Sequence, residues 1–130
     1  MRVARLVTVV ELRGSAPGEA SFSARHHAEL ADGRQLLLLG DRGWTVGTSD
    51  RSDPLAHECE ADLAETARVV VGPDEPWVGR THEQEAALHW AALAASLSER
   101  GVAATAEELR RLAHDVETGP RLRARLAGPA

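Results

Sequence analysis

The chain has 130 residues, enough for one domain that buries roughly two thirds of its unfolded surface and needs no staples. Its composition, 43% hydrophobic and 27% charged, is that of a globular protein, and no apolar run approaches the ~18 residues of a membrane span. A formal charge of −5 disfavours nucleic-acid binding, the absence of Lys excludes a phosphate-loop lysine, and a single cysteine, Cys59, excludes an intrachain disulfide.

Residues 1–12 show no signal-peptide cleavage pattern, and with the lone cysteine this leads us to expect a cytoplasmic protein. Lys, Ile, Asn and Tyr are absent while Ala, Arg and Gly abound, which points to a high-GC bacterial genome. Arg in place of Lys is therefore weak evidence for phosphate recognition here. Residues 1–49 carry six Arg and five acids, residues 50–85 three Arg and ten acids, and residues 86–130 six Arg and five acids, giving +1, −7 and +1. The acidic middle block is either a face for a basic partner or the solvated side of a helix.

Taken in chain order, residues 2–13 read as a strand with Leu6, Thr8, Val10 and Leu12 on one face and Val3, Val7 and Val9 mostly on the other. Residues 14–18 read as a loop. Phe22 to Leu30 alternates again, with Phe22, Ala24, His26, Ala28 and Leu30 together. Asp32-Gly33 predicts a type I′ hairpin, Gln35 to Leu39 the returning strand, Gly40 to Gly43 a turn, and Trp44 to Val46 a short fourth strand. Asp53 caps a helix whose first residue is Pro54, with Leu55, Cys59, Leu63, Ala67 and Val70 on one stripe; Val69 to Val71 also suits a short strand.

The spacing from 81 to 100 predicts the main helix. Thr81 and Gln84 form a capping box, and Gly101 is placed to end it. Ala86, Trp90, Leu93 and Leu97 make one apolar stripe; Leu88, Ala91, Ala92 and Ala95 make a second. A helix with two apolar faces is usually covered on both, so the second stripe is an expected interface, either with another chain or with the chain's own C-terminal part. Thr105 to Glu108 reads as a second capping box opening a further helix over 105–116, with Leu109, Leu112, Ala113 and Val116 inward. Gly119-Pro120 breaks it, and Arg121 to Leu126 forms a last short helix before a fraying tail.

Six His justify a search for chemistry. His82, Glu85 and His89 share one side of the main helix, but the spacing is not that of a helical zinc motif, and we expect no metal and no cofactor. His57 and Cys59 point apart on a helix and do not chelate together. Cys59, on the apolar stripe, is expected to be buried and inert. His26 interrupts an apolar strand face, as a core histidine or a general base. His114-Asp115 does not form a dyad on a helix, because adjacent residues there do not face each other. No nucleophile elbow or dinucleotide loop is present. Arg110, Arg111, Arg121, Arg123 and Arg125 cluster near the C-terminus, suited to phosphate, an acidic partner or a helix dipole. Trp44 and Trp77 sit beside turns, as core fillers or binding anchors.

These features predict an α+β domain over 1–130: an antiparallel meander of three to four strands (1–48), then three to four helices (53–126) on one sheet face. The expected function is that of a small bacterial interaction or regulatory protein without catalysis of its own, a homodimer or the subunit of a partner. The alternative is an enzyme or ligand-binding domain with a His/carboxylate pocket between sheet and helices, drawn from His26, His27, His82, Glu85 and His89. Convergence of at least two His and one carboxylate in a cleft would favour the second.

Overall fold

The computed structural model describes residues 2–127. The fold is α+β, built on a four-stranded mixed sheet in the order β3-β2-β1-β4. Strands β1 (Val3–Ala16), β2 (Glu19–Leu30) and β3 (Gln35–Gly47) pair antiparallel in chain order. A 3-10 turn (Pro54–His57) and helices α1 (Glu60–Val70), α2 (His82–Glu99) and α3 (Ala106–Arg111) follow. Then β4 (His114–Thr118) joins the free edge of β1 in parallel, and α4 (Pro120–Leu126) closes the described chain. No helix among the described residues is long and apolar enough to cross a membrane.

The expectation of a purely antiparallel meander followed only by helices is thus corrected. Residues 114–118 are a strand, not the end of a helix. Only half of the α3 capping box forms: Thr105 Oγ1 accepts from the Glu108 backbone, but the Glu108 carboxylate accepts from the Thr105 hydroxyl at 3.1 Å instead of from its backbone N–H, and the helix stops at Arg111 with Leu112 already extended (φ −69°, ψ 152°). From there Leu112, His114, Val116 and Thr118 alternate inward with exposed Ala113, Asp115 and Glu117. The open edge of β1 supplies the hydrogen-bonding partner that a helix would have supplied internally.

Three further corrections concern the strands. β1 runs to Ala16, so only Pro17-Gly18 is turn, with Gly18 at φ +78° as a Pro-Gly turn requires. The Asp32-Gly33 tip is not type I′, which needs positive φ at both residues; only Gly33 has it (+92°). Asp32 instead accepts from the Arg34 backbone (3.0 Å) and guanidinium (2.8 Å). Trp44 to Val46 is no separate strand. β3 is continuous past Gly40-Asp41, where its register against β2 shifts between Ala24 and His26. That irregularity lets Leu39 join the core while Arg42 reaches the helix layer, donating to the Val70 carbonyl at 3.0 Å.

Alternation does the rest. The sheet face carrying Leu6, Val10, Leu12, Ala20, Phe22, Ala28 and Leu30 is buried by the helices. Two apolar clusters stand on it. One joins Val3, Leu6, Ala28 and Leu30 to Leu93 and Leu97 of α2, Val102, and Leu109 of α3. The other joins Val10, Leu12, Ala20 and Phe22 to Leu55 of the 3-10 turn, Leu63 and Ala67 of α1 and Leu122 of α4. Each fully buried Leu or Phe side chain in these clusters contributes ~1.5–3 kcal/mol. On the opposite face Arg5 ties three strands together, with Glu29 at 2.6 Å, Asp115 at 2.7 Å and Glu117 at 3.8 Å.

The α1 stripe is shorter than its spacing suggested. Asp53 does cap the 3-10 turn, accepting from Leu55 N. The chain is then extended at Glu58 and Cys59, and α1 starts only at Glu60. Cys59 is therefore exposed as the N-terminal cap residue, not buried. Val69 and Val70 end the helix rather than forming a strand.

The last turn of sheet and helix is locked by Glu11. Its carboxylate accepts from the backbone N–H of Leu12 (2.7 Å), Leu122 (2.8 Å) and Arg121 (3.2 Å). Burial works against that charge, but the three backbone donors outweigh it and hold the carboxyl below its ordinary range. Gly119 makes this approach possible, because a Cβ there would overlap the Glu11 side chain.

Candidate functional site

Between the two apolar clusters lies a polar one. Thr8 on β1, His26 on β2 and His114 on β4 occupy neighbouring strands on the helix-covered face. The register sets Thr8 opposite both His26 and Val116, one alternation from His114. Thr8 Oγ1 lies 2.8 Å from His26 Nδ1 and 2.7 Å from His114 Nε2. The two rings meet edge to face at 4.9 Å. A hydroxyl has one proton, so Thr8 donates to one ring nitrogen and accepts from the other, which fixes opposite protonation at the two atoms.

The electrostatics keep this cluster neutral. Burial, followed by His114, His89, His27 and Arg42, pushes the His26 pKa down to about 3. His114 is lowered by burial and Arg68, with Asp115 opposing. His89 is lowered by burial and Arg42, with Asp74 opposing. Arg42 bonds Asp74 at 3.3 Å, and Arg68 donates to the His114 carbonyl at 3.3 Å. His89 Nε2 is buried without a hydrogen-bond partner.

A hydroxyl between two imidazoles is a chemically suggestive arrangement. Here Thr8 is 0% and His26 1% exposed, however, and an imidazole with a pKa near 3 is a poor base at neutral pH. A substrate could not touch Thr8 without lifting the helices. At the junction of the two cores, Thr8 gives each histidine a polar partner.

The residues singled out from sequence do not converge. His26 is in this cluster, and His89 stands at its margin. His82 is exposed at the start of α2. Glu85 is buried and bonds Arg80 at 2.7 Å rather than a histidine. His27 lies on the opposite sheet face from His26, half-buried, with Nδ1 unpartnered. The His57 side chain lies outside the described residues, as does the tail after Ala127. Among the described residues no three His, Cys, Asp or Glu side chains are grouped to hold a metal. Trp44 stacks on Phe22 at 5.0 Å and belongs to the core. His114 and Thr8 were missed as site residues, because only the unforeseen parallel pairing of β4 brings them together.

The C-terminal arginines are largely engaged within the chain: Arg110 with Glu83 (3.1 Å), Arg111 with Glu107 (2.6 Å) and Arg125 with Asp53 (3.1 Å). Several acids of the middle block are the other halves of these and similar pairs, among them Asp74 with Arg42 and Glu85 with Arg80.

The second candidate is on the surface. α2 turns Leu93 and Leu97 inward, with Ala86 and Trp90 half-buried beside them. Its other stripe, Leu88, Ala91, Ala92 and Ala95, is exposed, so no part of the described chain covers it. Leu88 is 52% exposed, and just before the helix Trp77 and Val78 are 76% and 106% exposed. A hollow of about 580 Å³ lies beside them, lined by Gly79, Arg80, Gln84, Ala87, Leu88 and Ala91. Large apolar side chains held out in water are the material from which interaction surfaces are commonly built. No protein-family model, curated protein or solved structure matches this chain.

Proposed function

We propose that this protein is an interaction module, acting through the outward face of α2 and the adjoining Trp77–Val78 loop rather than through chemistry. The observation that carries the reading is the exposure of Trp77, Val78 and Leu88, the last of which lines a hollow on a well-capped helix. The capping box at Thr81 and the anchoring of Leu93 and Leu97 hold that face rigid, which lowers the ordering cost of binding. Burying Leu88 against a partner contributes ~1.5–3 kcal/mol, and Trp77 is the residue type most often found at binding hot spots.

The test is affinity recovery from the source cells with wild type, Leu88→Glu and Trp77→Ala. Proteins held by wild type and lost from both variants support the surface. An identical set recovered with all three rejects it.

The second reading, an enzyme built on Thr8, His26 and His114, has one observation in its favour, the hydroxyl held between two imidazoles. It requires the helix layer to open. Reaction of His26 with diethyl pyrocarbonate in the folded protein at neutral pH would favour it, and complete protection would remove it.

A further inference from the structure

The occupant of the exposed α2 face can be argued from the face itself. Along the helix its outward line runs Gln84, Leu88, Ala91, Ala92, Ala95 and Glu99, all exposed. We propose that this line pairs with the same line of a second copy of this chain, the two α2 helices antiparallel about a two-fold axis between Ala91 and Ala92. The inference rests on the surface reading above and adds the identity of what covers it.

Three properties of the line make it self-complementary. An antiparallel two-fold at that point sets residue positions opposite one another when their numbers are symmetric about the axis. Leu88 then faces Ala95 of the other copy, large against small, twice. Ala91 faces Ala92, so the backbones approach closely at the centre, toward the ~8 Å end of helix packing distances. Gln84 faces Glu99, an amide donor against a carboxylate, again twice. No like charges meet along the line, and the helix dipoles run opposed.

A parallel pairing would instead set Leu88 beside Leu88 and Glu99 beside Glu99. A foreign basic partner is less well matched, because Glu99 is the one charged residue on the line. Much of the acidic surface of the middle block lies elsewhere, on α1 at Glu60, Asp62 and Glu65.

The area sets the strength. Trp77, Val78, Leu88 and the exposed alanines of α2 offer roughly 600 Å² per copy, against ~800 Å² per partner in a standard interface. Trp77 and Val78, next in the chain to Gly79 and Arg80 of the hollow, flank the C-terminal end of the other copy's α2. The dimer is therefore concentration-dependent and forms in the micromolar range.

Sedimentation of the full chain tests this. Wild type is expected to approach twice 13.9 kDa at high micromolar concentration, and Leu88→Glu and Ala95→Glu to remain monomers with wild-type circular dichroism. Both positions are exposed in the monomer, so folding is retained. A wild type that stays monomeric overturns the pairing, as does a dimer that both variants leave intact. The register has its own test in a Cys59→Ser background. Leu88→Cys with Ala95→Cys should oxidise to a covalent dimer. Leu88→Cys alone should not, because the two copies of position 88 lie ~10 Å apart along the axis, beyond the ~7 Å disulfide reach. Equal cross-linking of the single variant overturns the antiparallel arrangement. If self-pairing fails while Leu88→Glu still loses proteins recovered from cells, the surface reading stands and only its occupant changes. If the dimer forms but recovery from cells is unaffected by Leu88→Glu, self-pairing stands and a foreign partner at this face is rejected.

Discussion

Acid should destabilise this protein through His26 at a pH above the ordinary carboxylate range. The imidazole is 1% exposed and its pKa is pushed down to about 3 in the fold, whereas in the unfolded chain it returns to ~6.5. A histidine with a depressed folded pKa contributes its full stability above the unfolded value. It loses that stability as pH falls from about 6.5 toward 3, because the unfolded chain takes up the proton and the folded one does not. Each pH unit in that window costs ~1.4 kcal/mol, so about 2 kcal/mol is gone near pH 5, a sizeable share of a ~5–15 kcal/mol domain stability. His27, His89 and His114 are also lowered and act with the same sign. Glu11, Glu29 and Asp32 are lowered too, so what they contribute is lost only as pH falls through and below the ordinary carboxylate range of ~4, and the interval down to about pH 5 belongs to the histidines. His26→Gln keeps a polar partner for Thr8 and removes the proton site. Urea unfolding of both proteins near pH 7 and near pH 5 isolates the effect. Wild type should lose about 2 kcal/mol more than His26→Gln over that interval. Equal losses would refute the burial argument for His26.

Other consequences are equally open to measurement. Gly119→Ala forces a Cβ onto the Glu11 side chain and should cost ~1–3 kcal/mol in thermal or denaturant unfolding; an unchanged midpoint would mean the β4–α4 corner has slack. Glu11→Ala leaves the Leu122 and Arg121 N–H groups unpaired and should cost ~1–2 kcal/mol, measured the same way. Cys59, exposed ahead of α1, should be modified by a thiol reagent in the native protein at close to the rate seen after unfolding; strong protection would show that α1 begins earlier and buries it.

Much of the fold could be read from residue order because local and global demands agree there. The alternation of Phe22 to Leu30 specified the buried face of β2, and the Thr81–Gln84 box with Leu93 and Leu97 specified α2 and its inward side. Failure came where one segment satisfied two periods. Leu109, Leu112, Ala113 and Val116 fit a helix, while Leu112, His114, Val116 and Thr118 fit a strand equally well. The arbiter was the unpaired edge of β1, about a hundred residues away in sequence. The polar cluster depends on the same pairing: Thr8 and His26 are legible as neighbouring strand residues, but nothing local joins either to His114. Cys59 was misplaced for the opposite reason. Its spacing from Leu55 and Leu63 was helical in number, yet the backbone is extended at that point and the periodicity carries no weight across the break.

The placement of β4 also governs the order in which the molecule can be completed. β1 is made first, yet one of its edges is filled only by residues 114–118, and Glu11 finds its last partners only at 121 and 122. Until that stretch has emerged during synthesis, the β1–β2–β3 sheet carries an open hydrogen-bonding edge and a Glu11 carboxylate that lacks two of its three backbone donors. Such an edge is a template for pairing with other chains. A nascent chain halted before position 114 is therefore a sticky species rather than a smaller version of the native one. Circular permutation that placed β4 ahead of β1 would shorten the interval during which that edge is exposed.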